Sequence, residues 1–129
     1  MDCPVCKEAM IVLELDEVEI DHCLCCGGIW LDAGELELLL GDCDQKDNLL
    51  SSLRVDKNTK EDKRRCPICL KKMEKVLCGT DREVRIDKCR KNDGIWFDKG
   101  ELEDIVSMAA FDKDNKVTDL LEDMFGRKT

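Results

Sequence analysis

The stretch CCGGIWLDAGELELLL, from Cys25 to Leu40, recurs as NDGIWFDKGELEDIV, from Asn92 to Val106. Upstream of each copy stands a C-P-x-C motif, CPVC at 3–6 and CPIC at 66–69. An internal repeat of this kind is typical of a duplicated structural unit. We therefore expect two copies of one small fold, and the differences between the copies indicate what each position does.

Between its two cysteine pairs, each copy alternates apolar and polar residues around a short polar turn. The first segment is MIVLELDEVEID at 10–21, with its turn at Asp16 and Glu17, and the second is VLCGTDREVRID at 76–87, with its turn at 79–81. Such alternation predicts a β-hairpin. Because a hairpin brings its two ends together, the sulfurs that flank it converge, and four thiolates favour a closed, structural zinc site. We expect Gly27 and Gly28 to let the backbone fold tightly around these sulfurs.

After the second cysteine pair, each copy has the form of a helix start. In D-x-x-E, at 32–35 and 98–101, the Asp can cap free N–H groups while the Glu reaches back. Apolar residues then recur at helical spacing: Leu36, Leu39 and Leu40 in the first copy, and Leu102, Ile105, Val106 and Ala109 in the second. We expect the Ile-Trp pairs, at 29–30 and 95–96, to pack this helix onto the hairpin beside the metal. Exposure of the Trp as a recognition residue is the alternative.

Alignment of the copies separates ligand cysteines from the others. The predicted ligands of the first site are Cys3, Cys6, Cys23 and Cys26, and those of the second include Cys66, Cys69 and Cys89. In the second copy Asn92 replaces Cys26, and Asp93 replaces Gly27. Asp93 is the preferred fourth ligand because a carboxylate is an accepted zinc ligand; the Asn92 amide oxygen and water are the alternatives. We therefore predict two Zn²⁺ sites, of which the second is either completed in this way or empty.

The remaining candidate ligands fail the same alignment. His22 aligns with Lys88 and Cys25 with Lys91, so neither is expected to bind metal, and His22 is expected in a solvated loop. Cys78 follows Cys69 by nine residues along a strand, which places it on the order of 25–30 Å from the metal. Cys43 lies outside both repeats.

C-P-x-C, a hairpin that ends in Ile-Asp, and C-x-x-C-G-G-I-W-L-D-x-G-E-L together resemble the bacterial TFIIB-type zinc-ribbon (transcription factor zinc-finger) family. The resemblance covers 3–40 throughout and 66–106 except at the fourth ligand. It implies a zinc ribbon with four Cys ligands, here Cys3, Cys6, Cys23 and Cys26. The family name alone suggests an association with transcription.

We predict a small α+β, metal-stabilised protein with two tandem zinc ribbons and a C-terminal amphipathic helix. Each ribbon is a β-hairpin with two Cys knuckles followed by a short helix. The predicted boundaries are 1–41 for the first ribbon, 42–65 for a charged linker, 66–111 for the second, degenerate ribbon and 112–129 for the C-terminal helix. In the linker, Asn48 can cap a short helical turn, and 54–65 has the composition of a flexible tether. With two Trp, three Phe and no Tyr, no single large core is expected.

The net charge of −9 is unevenly distributed. Residues 1–44 contain twelve acidic residues and one basic residue, whereas 63–91 contain eleven basic and four acidic residues. The sequence has no apolar run of the roughly 18 residues that cross a bilayer, so we expect no membrane partner. MDCPVC does not resemble a signal peptide, so we expect a cytoplasmic protein whose paired cysteines hold metal rather than form disulfides.

The leading functional hypothesis is a structural zinc-binding protein that serves as a protein-interaction or assembly module. The C-terminal helix has an apolar stripe: Val117, Leu120, Leu121, Met124 and Phe125. We expect this stripe to pack on the helix of the second ribbon; the alternative is that it binds a protein partner or a second copy of the chain. The alternative is nucleic-acid binding through the basic hairpin at 63–91, which the acidic total and the lack of aromatic residues in that hairpin disfavour. A further alternative is thiol redox or metal handling through Cys25, Cys43 and Cys78. With one His and no nucleophile–base arrangement, the sequence predicts no enzyme activity.

Overall fold

The computed structural model describes residues 1–15, 17–40, 46–57, 64–79 and 83–109. Its elements are, in chain order, β1 (Ile11–Leu15), β2 (Val18–His22), β3 (Ile29–Asp32), α1 (Glu35–Leu40), α2 (Lys46–Ser51), β4 (Arg54–Val55), β5 (Glu74–Cys78), β6 (Val84–Lys88), β7 (Gly94–Phe97) and α3 (Glu101–Ala109). The predicted α+β class, with a hairpin and a short helix in each repeat, is confirmed. The predicted C-terminal helix at 112–129 lies outside the described residues. Of the helices that are described, none combines the length and the apolar character needed to cross a bilayer.

Both predicted hairpins form. β1 pairs antiparallel with β2, Leu15 opposite Val18, and Glu17 makes the turn with a φ of 70°. β5 pairs with β6 in the same way, Cys78 opposite Val84. Because side chains alternate along a strand, each hairpin presents one apolar face to the core, which includes Ile20 and Ile86, and an opposite face that carries charged residues such as Asp21 and Asp87.

The two repeats join at their third strands. β3 pairs antiparallel with β7, so that Trp30 lies opposite Trp96, and the strand order is β1-β2-β3-β7-β6-β5-β4. The result is one seven-stranded sheet in which the second repeat continues the first. The sequence predicted two tandem ribbons but not this junction, because no pattern within one repeat indicates that β3 needs a neighbour.

One face of the sheet carries the helices and a core shared by both repeats. Leu31 and Phe97 come from the central strands, Leu36 and Leu102 from α1 and α3, and Leu49 from α2, and all five are buried in one cluster. The expectation that no single large core forms was therefore wrong. Aliphatic residues contributed by both copies supply the volume that the few aromatic residues lack.

The Ile-Trp pairs divide between the two faces of the sheet. Ile29 belongs to the helix-side core, whereas Trp30 packs among the cysteines on the opposite face. Trp30 and Trp96 are completely buried, which confirms them as core residues beside the metal sites. The prediction that the Trp itself packs the helix onto the hairpin was wrong. Because side chains alternate along the strand, the Ile faces the helix and the Trp faces the sulfurs.

The linker is more ordered than its composition indicated. The predicted short helix is α2, and its residue Leu49 is buried in the core. The helix begins at Lys46, so Asn48 lies within it and the prediction that Asn48 caps it was wrong. The segment after it forms β4, which pairs with the outer edge of β5, Val55 opposite Val76. A flexible tether from residue 54 onward was therefore not the right description of 54–57. Two ion pairs hold this strand, Arg54 with Glu83, and Asp56 with Arg85 at 2.8 Å.

Candidate metal centres

The first centre lies where the two ends of the first hairpin meet. Its ligand atoms, from Cys3, Cys6, Cys23 and Cys26, all lie within 4.8 Å of one another. Each knuckle is a tight turn in which backbone N–H groups donate to the leading sulfur. The Cys6 N–H donates to Cys3 Sγ over 3.3 Å, and the Cys26 N–H to Cys23 Sγ over 3.5 Å. Such N–H···S bonds orient the sulfurs and stabilise them as thiolates.

The sulfur spacing fits a tetrahedral zinc ion. With Zn–S bonds of ~2.3 Å, ligand sulfurs stand about 3.8 Å apart. The Sγ atoms of Cys3 and Cys26 lie 3.7 Å apart. Burial raises the pKa of the Cys26 thiol to about 11 and that of Cys66, in the second centre, to about 12. A bound cation would replace the protons of these two thiols and stabilise them as thiolates.

The second centre contains three sulfurs and one carboxylate. Cys66, Cys69, Cys89 and Asp93 bring their ligand atoms within the same 4.8 Å limit. Asp93 Oδ2 lies 3.6 Å from Cys66 Sγ and 3.4 Å from Cys89 Sγ. Around a tetrahedral zinc with one oxygen ligand, a sulfur and an oxygen stand about 3.6 Å apart. The two groups of residues therefore fit two Zn²⁺ ions, the second through Cys₃Asp.

A change in the knuckle turn explains why Asp93, rather than Asn92, joins the second group. In the first copy the Gly27 N–H donates to the Cys23 carbonyl over 2.9 Å, and Gly27 is the left-handed residue with a φ of 80°. In the second copy the Asn92 N–H donates to the Cys89 carbonyl over 3.0 Å, and Asn92 is left-handed with a φ of 63°. Asn adopts this conformation more readily than other non-glycine residues. The left-handed residue thus moves one position earlier, Asn92 stays exposed, and the next residue turns its carboxylate inward.

A hydrogen-bonded relay links each centre to the helix that follows it. The Trp30 indole N–H donates to Asp32 Oδ1 over 2.9 Å, and the Asp32 backbone N–H donates to Glu35 Oε1 over 2.6 Å. The second copy repeats the relay through its equivalents Trp96, Asp98 and Glu101, at 3.1 and 2.7 Å. The Glu half of the predicted capping box is therefore present in both copies. These bonds fix the start of each helix relative to the Trp that packs against the sulfurs.

Two glycines make room for the Trp pair across the junction. A Cβ on Gly28 would overlap the indole ring of Trp96, and a Cβ on Gly94 would overlap the Leu31 carbonyl and the ring of Trp30. Each Trp therefore lies on a glycine of the other repeat. Both glycines also belong to the knuckle turn, as predicted: Gly27 has the left-handed φ of 80°, and the Gly28 carbonyl accepts the Cys23 N–H over 3.0 Å.

Met73 is a centre residue that the sequence analysis missed. It is completely buried in the cluster of cysteines and Trp rings, and Met10 packs at the edge of that cluster. The repeat contained the signal, because both residues stand seven positions after the first cysteine of their copy. A thioether tolerates irregular gaps and packs well against aromatic rings, which suits a residue between sulfurs and indoles.

Of the predicted non-ligands, His22, Cys25 and Cys78 lie outside both groups, although one prediction about them was wrong. His22 is the last residue of β2 and is buried, with Nδ1 3.1 Å from the Gly28 carbonyl oxygen, so it is not a solvated loop residue. Burial lowers the pKa of His22, which favours the neutral imidazole. Cys25 is exposed, and Cys43 lies outside the described residues. Cys78 is buried at the far end of β5, where burial raises its pKa to about 11, so it is a poor nucleophile.

The fold and the two ligand groups define a duplicated zinc ribbon. The chain belongs to the transcription factor zinc-finger family, which matches residues 2–42 and 65–108 as two tandem copies. The predicted family resemblance is thereby confirmed. Comparison with curated proteins gave no match, and neither did comparison with solved structures.

Proposed function

We propose that the protein is a non-enzymatic zinc-binding module that acts in protein interaction or assembly. The observation that carries this proposal is the apolar surface of its knuckles. Large apolar side chains on them are exposed to solvent: Val5 and Leu24 at the first centre, and Ile68 and Leu70 at the second. Single exposed apolar residues are ordinary, but their repetition around two neighbouring centres is typical of a contact surface.

The ligand groups support a structural role for the metal. Four protein ligands leave no coordination position for water or substrate, which is the arrangement of structural rather than catalytic zinc. Structural zinc contributes on the order of 10 kcal/mol to folding in small zinc-binding peptides. A metal-stabilised knuckle can therefore hold exposed apolar side chains in fixed positions, which a small core alone would not do.

Nucleic-acid binding through 63–91 remains the alternative, and the ion pairs of this segment weaken it. Lys75 is buried against Asp87 at 2.6 Å, and Arg64 pairs with Asp98. Arg85 pairs with Asp56. Basic side chains that already pair with acidic residues of the same chain displace fewer counterions from a phosphate backbone, so they contribute less to nucleic-acid binding. A binding assay at low salt tests this alternative, because affinity that falls steeply with added salt would favour it over protein interaction.

The proposed function can be tested by making the knuckle surface polar. A double variant, Leu24→Ser with Leu70→Ser, changes side chains that are 73% and 66% exposed, and Leu38→Ser on α1, at 69% exposed, is the matched control. We expect the double variant to retain zinc and to capture its protein partners, or associate with itself, about tenfold more weakly. Leu38→Ser should behave as the unmodified protein does. Equal capture by all three, or capture that nuclease treatment abolishes, would refute the proposal.

A further inference from the structure

The outer edges of the two hairpins differ. In the second repeat, β4 covers the edge of β5. In the first repeat, β1 is the last strand of the sheet, and no described residue pairs with the outer edge of Ile11–Leu15. β1 also lacks the Lys or Pro with which proteins commonly protect an open edge. Among the described residues, the same hairpin thus occurs once with and once without an added strand.

The backbone groups available on β1 can be identified from the pattern of hydrogen bonds. The Met10 N–H donates outward to the Met1 carbonyl over 3.0 Å, so alternate residues Val12 and Glu14 also direct their N–H and C=O groups outward. At the equivalent positions of β5, the Lys75 carbonyl accepts from the Asp56 N–H over 2.8 Å, and Leu77 lies opposite Arg54. The β4 segment therefore shows how a strand would meet these groups on β1.

The side chains beside this edge carry the opposite charge in the first repeat. Glu19 replaces Arg85, the partner of Asp56, so a strand added to β1 needs a cation where β4 has Asp56. Glu14 replaces Leu77 and adds a second anion at the position opposite Arg54.

The pair below this edge differs as well. The equivalents of the buried pair Lys75 and Asp87 are Val12 and Asp21, and the 62% exposure of Val12 leaves the site open.

We propose that the β1 edge binds an extended basic segment of a partner protein as an eighth strand, with a basic–aliphatic–basic sequence. The two cations lie opposite Glu14 and beside Glu19, and the aliphatic residue covers Leu13 as Val55 covers Val76. A second copy of this chain is a poor occupant, because antiparallel pairing of two β1 strands brings their glutamates together. This inference rests on the proposed protein-interaction function and specifies the partner's chemistry at one surface.

A peptide that copies β4 tests the inference. The probe is the hexapeptide of residues 52–57, SLRVDK, carrying Asp56→Lys, and the unmodified hexapeptide is its matched control. In titrations of ¹⁵N-labelled, zinc-loaded protein up to about 1 mM peptide, the amides of Val12 and Glu14 should shift saturably. The probe should bind at least about tenfold more tightly than the control, and Glu19→Lys should reverse that preference.

A proline and a measurement on the free protein complete the test. Val12→Pro removes an outward N–H without removing a hairpin hydrogen bond, so it should abolish probe binding while both zinc ions stay bound. In the free protein, the Val12 and Glu14 amides should exchange with solvent much faster than that of Leu77, which lies under β4. Protected Val12 and Glu14 amides, equal binding of both peptides, or binding unaffected by Val12→Pro would each overturn the inference. If the probe fails while capture still depends on Leu24 and Leu70, the edge proposal is wrong and the interaction function stands.

Discussion

Substitution of Gly28 by Ala tests whether the interlocked Trp pair holds the two repeats together. The added methyl group would overlap the Trp96 ring, which is completely enclosed. Because nonbonded carbon atoms settle ~3.5 Å apart, the ring must shift by about 1 Å or more. Overpacking of this kind costs about 1–3 kcal/mol, and loss of the indole hydrogen bond to Asp98 adds about 1 kcal/mol. We expect Gly28→Ala to lower the free energy of unfolding by about 2–4 kcal/mol.

The assay is urea unfolding of zinc-saturated protein, so that metal loss does not contribute to the difference. Gly34→Ala is the matched control, because Gly34 has a φ of 89° but its Cβ would meet nothing nearer than Glu37 Oε2 at 3.9 Å. It should cost about 1–2 kcal/mol from left-handed strain alone. In a Trp96→Leu background, Gly28→Ala should cost much less, giving a coupling energy of about 1 kcal/mol or more. Additive losses, or a Gly28→Ala effect no larger than that of Gly34→Ala, would refute the reasoning.

Three further changes test the second repeat. Asp93→Ala should reduce bound zinc from two ions per chain to one. Asn92→Ala should retain both ions and lower the free energy of unfolding by about 1 kcal/mol, because Ala is strained at the left-handed φ. Elemental analysis after gel filtration measures the bound zinc, and equal zinc loss in the two variants would contradict the ligand assignment. Lys75→Met should lower the free energy of unfolding by about 3 kcal/mol or more, because it leaves the buried Asp87 carboxylate without its cation. Adding Asp87→Leu should recover much of that loss in urea unfolding. Additive losses would argue against a coupled pair. Burial and neighbouring carboxylates raise the pKa of Glu101 to about 8. As the pH rises from about 5 to 8, Glu101 ionises in the unfolded chain before it does in the folded protein, so the free energy of unfolding should fall. If this pH dependence persists in Glu101→Gln, it does not come from Glu101.

The parts of the fold that depend on neighbouring residues in sequence were predictable. Alternation predicted both hairpins, and the spacing of Cys3 and Cys6 relative to Cys23 and Cys26 predicted a converging sulfur group. Comparison of the copies went further, because it excluded Cys25 from the ligands although it stands beside Cys26.

The sequence favoured Asp93 as the fourth ligand, and backbone geometry was needed to set Asn92 aside. Asp93 and Asn92 are both oxygen donors at neighbouring positions, and only the left-handed φ of Asn92 decides which side chain turns inward. The same limit applies to His22. Its alignment with Lys88 suggested exposure, but a neutral imidazole that is hydrogen-bonded to the Gly28 carbonyl can be buried without the charged partner that the buried ammonium group of Lys75 has in Asp87.

The junction between β3 and β7 was the part of the fold that local sequence patterns predicted least. Gly28 receives a Trp that is 68 positions away, and Gly94 receives one 64 positions away, so neither contact follows from helix or strand periodicity. β4 was missed for the same reason, because its partner β5 begins 19 residues after it ends.

The β3–β7 pairing has the geometry of a two-fold dimer interface contained within one polypeptide. In a dimer of identical ribbons, each surface residue must suit both subunits, since one gene product supplies both sides. Covalent linkage removes that constraint and keeps the second half at an effective concentration on the order of millimolar. Each half can then differentiate without loss of the pairing, as Glu19 and Arg85, or Cys26 and Asn92, have done. The duplication thus gives one small protein two chemically unlike ends on a shared frame.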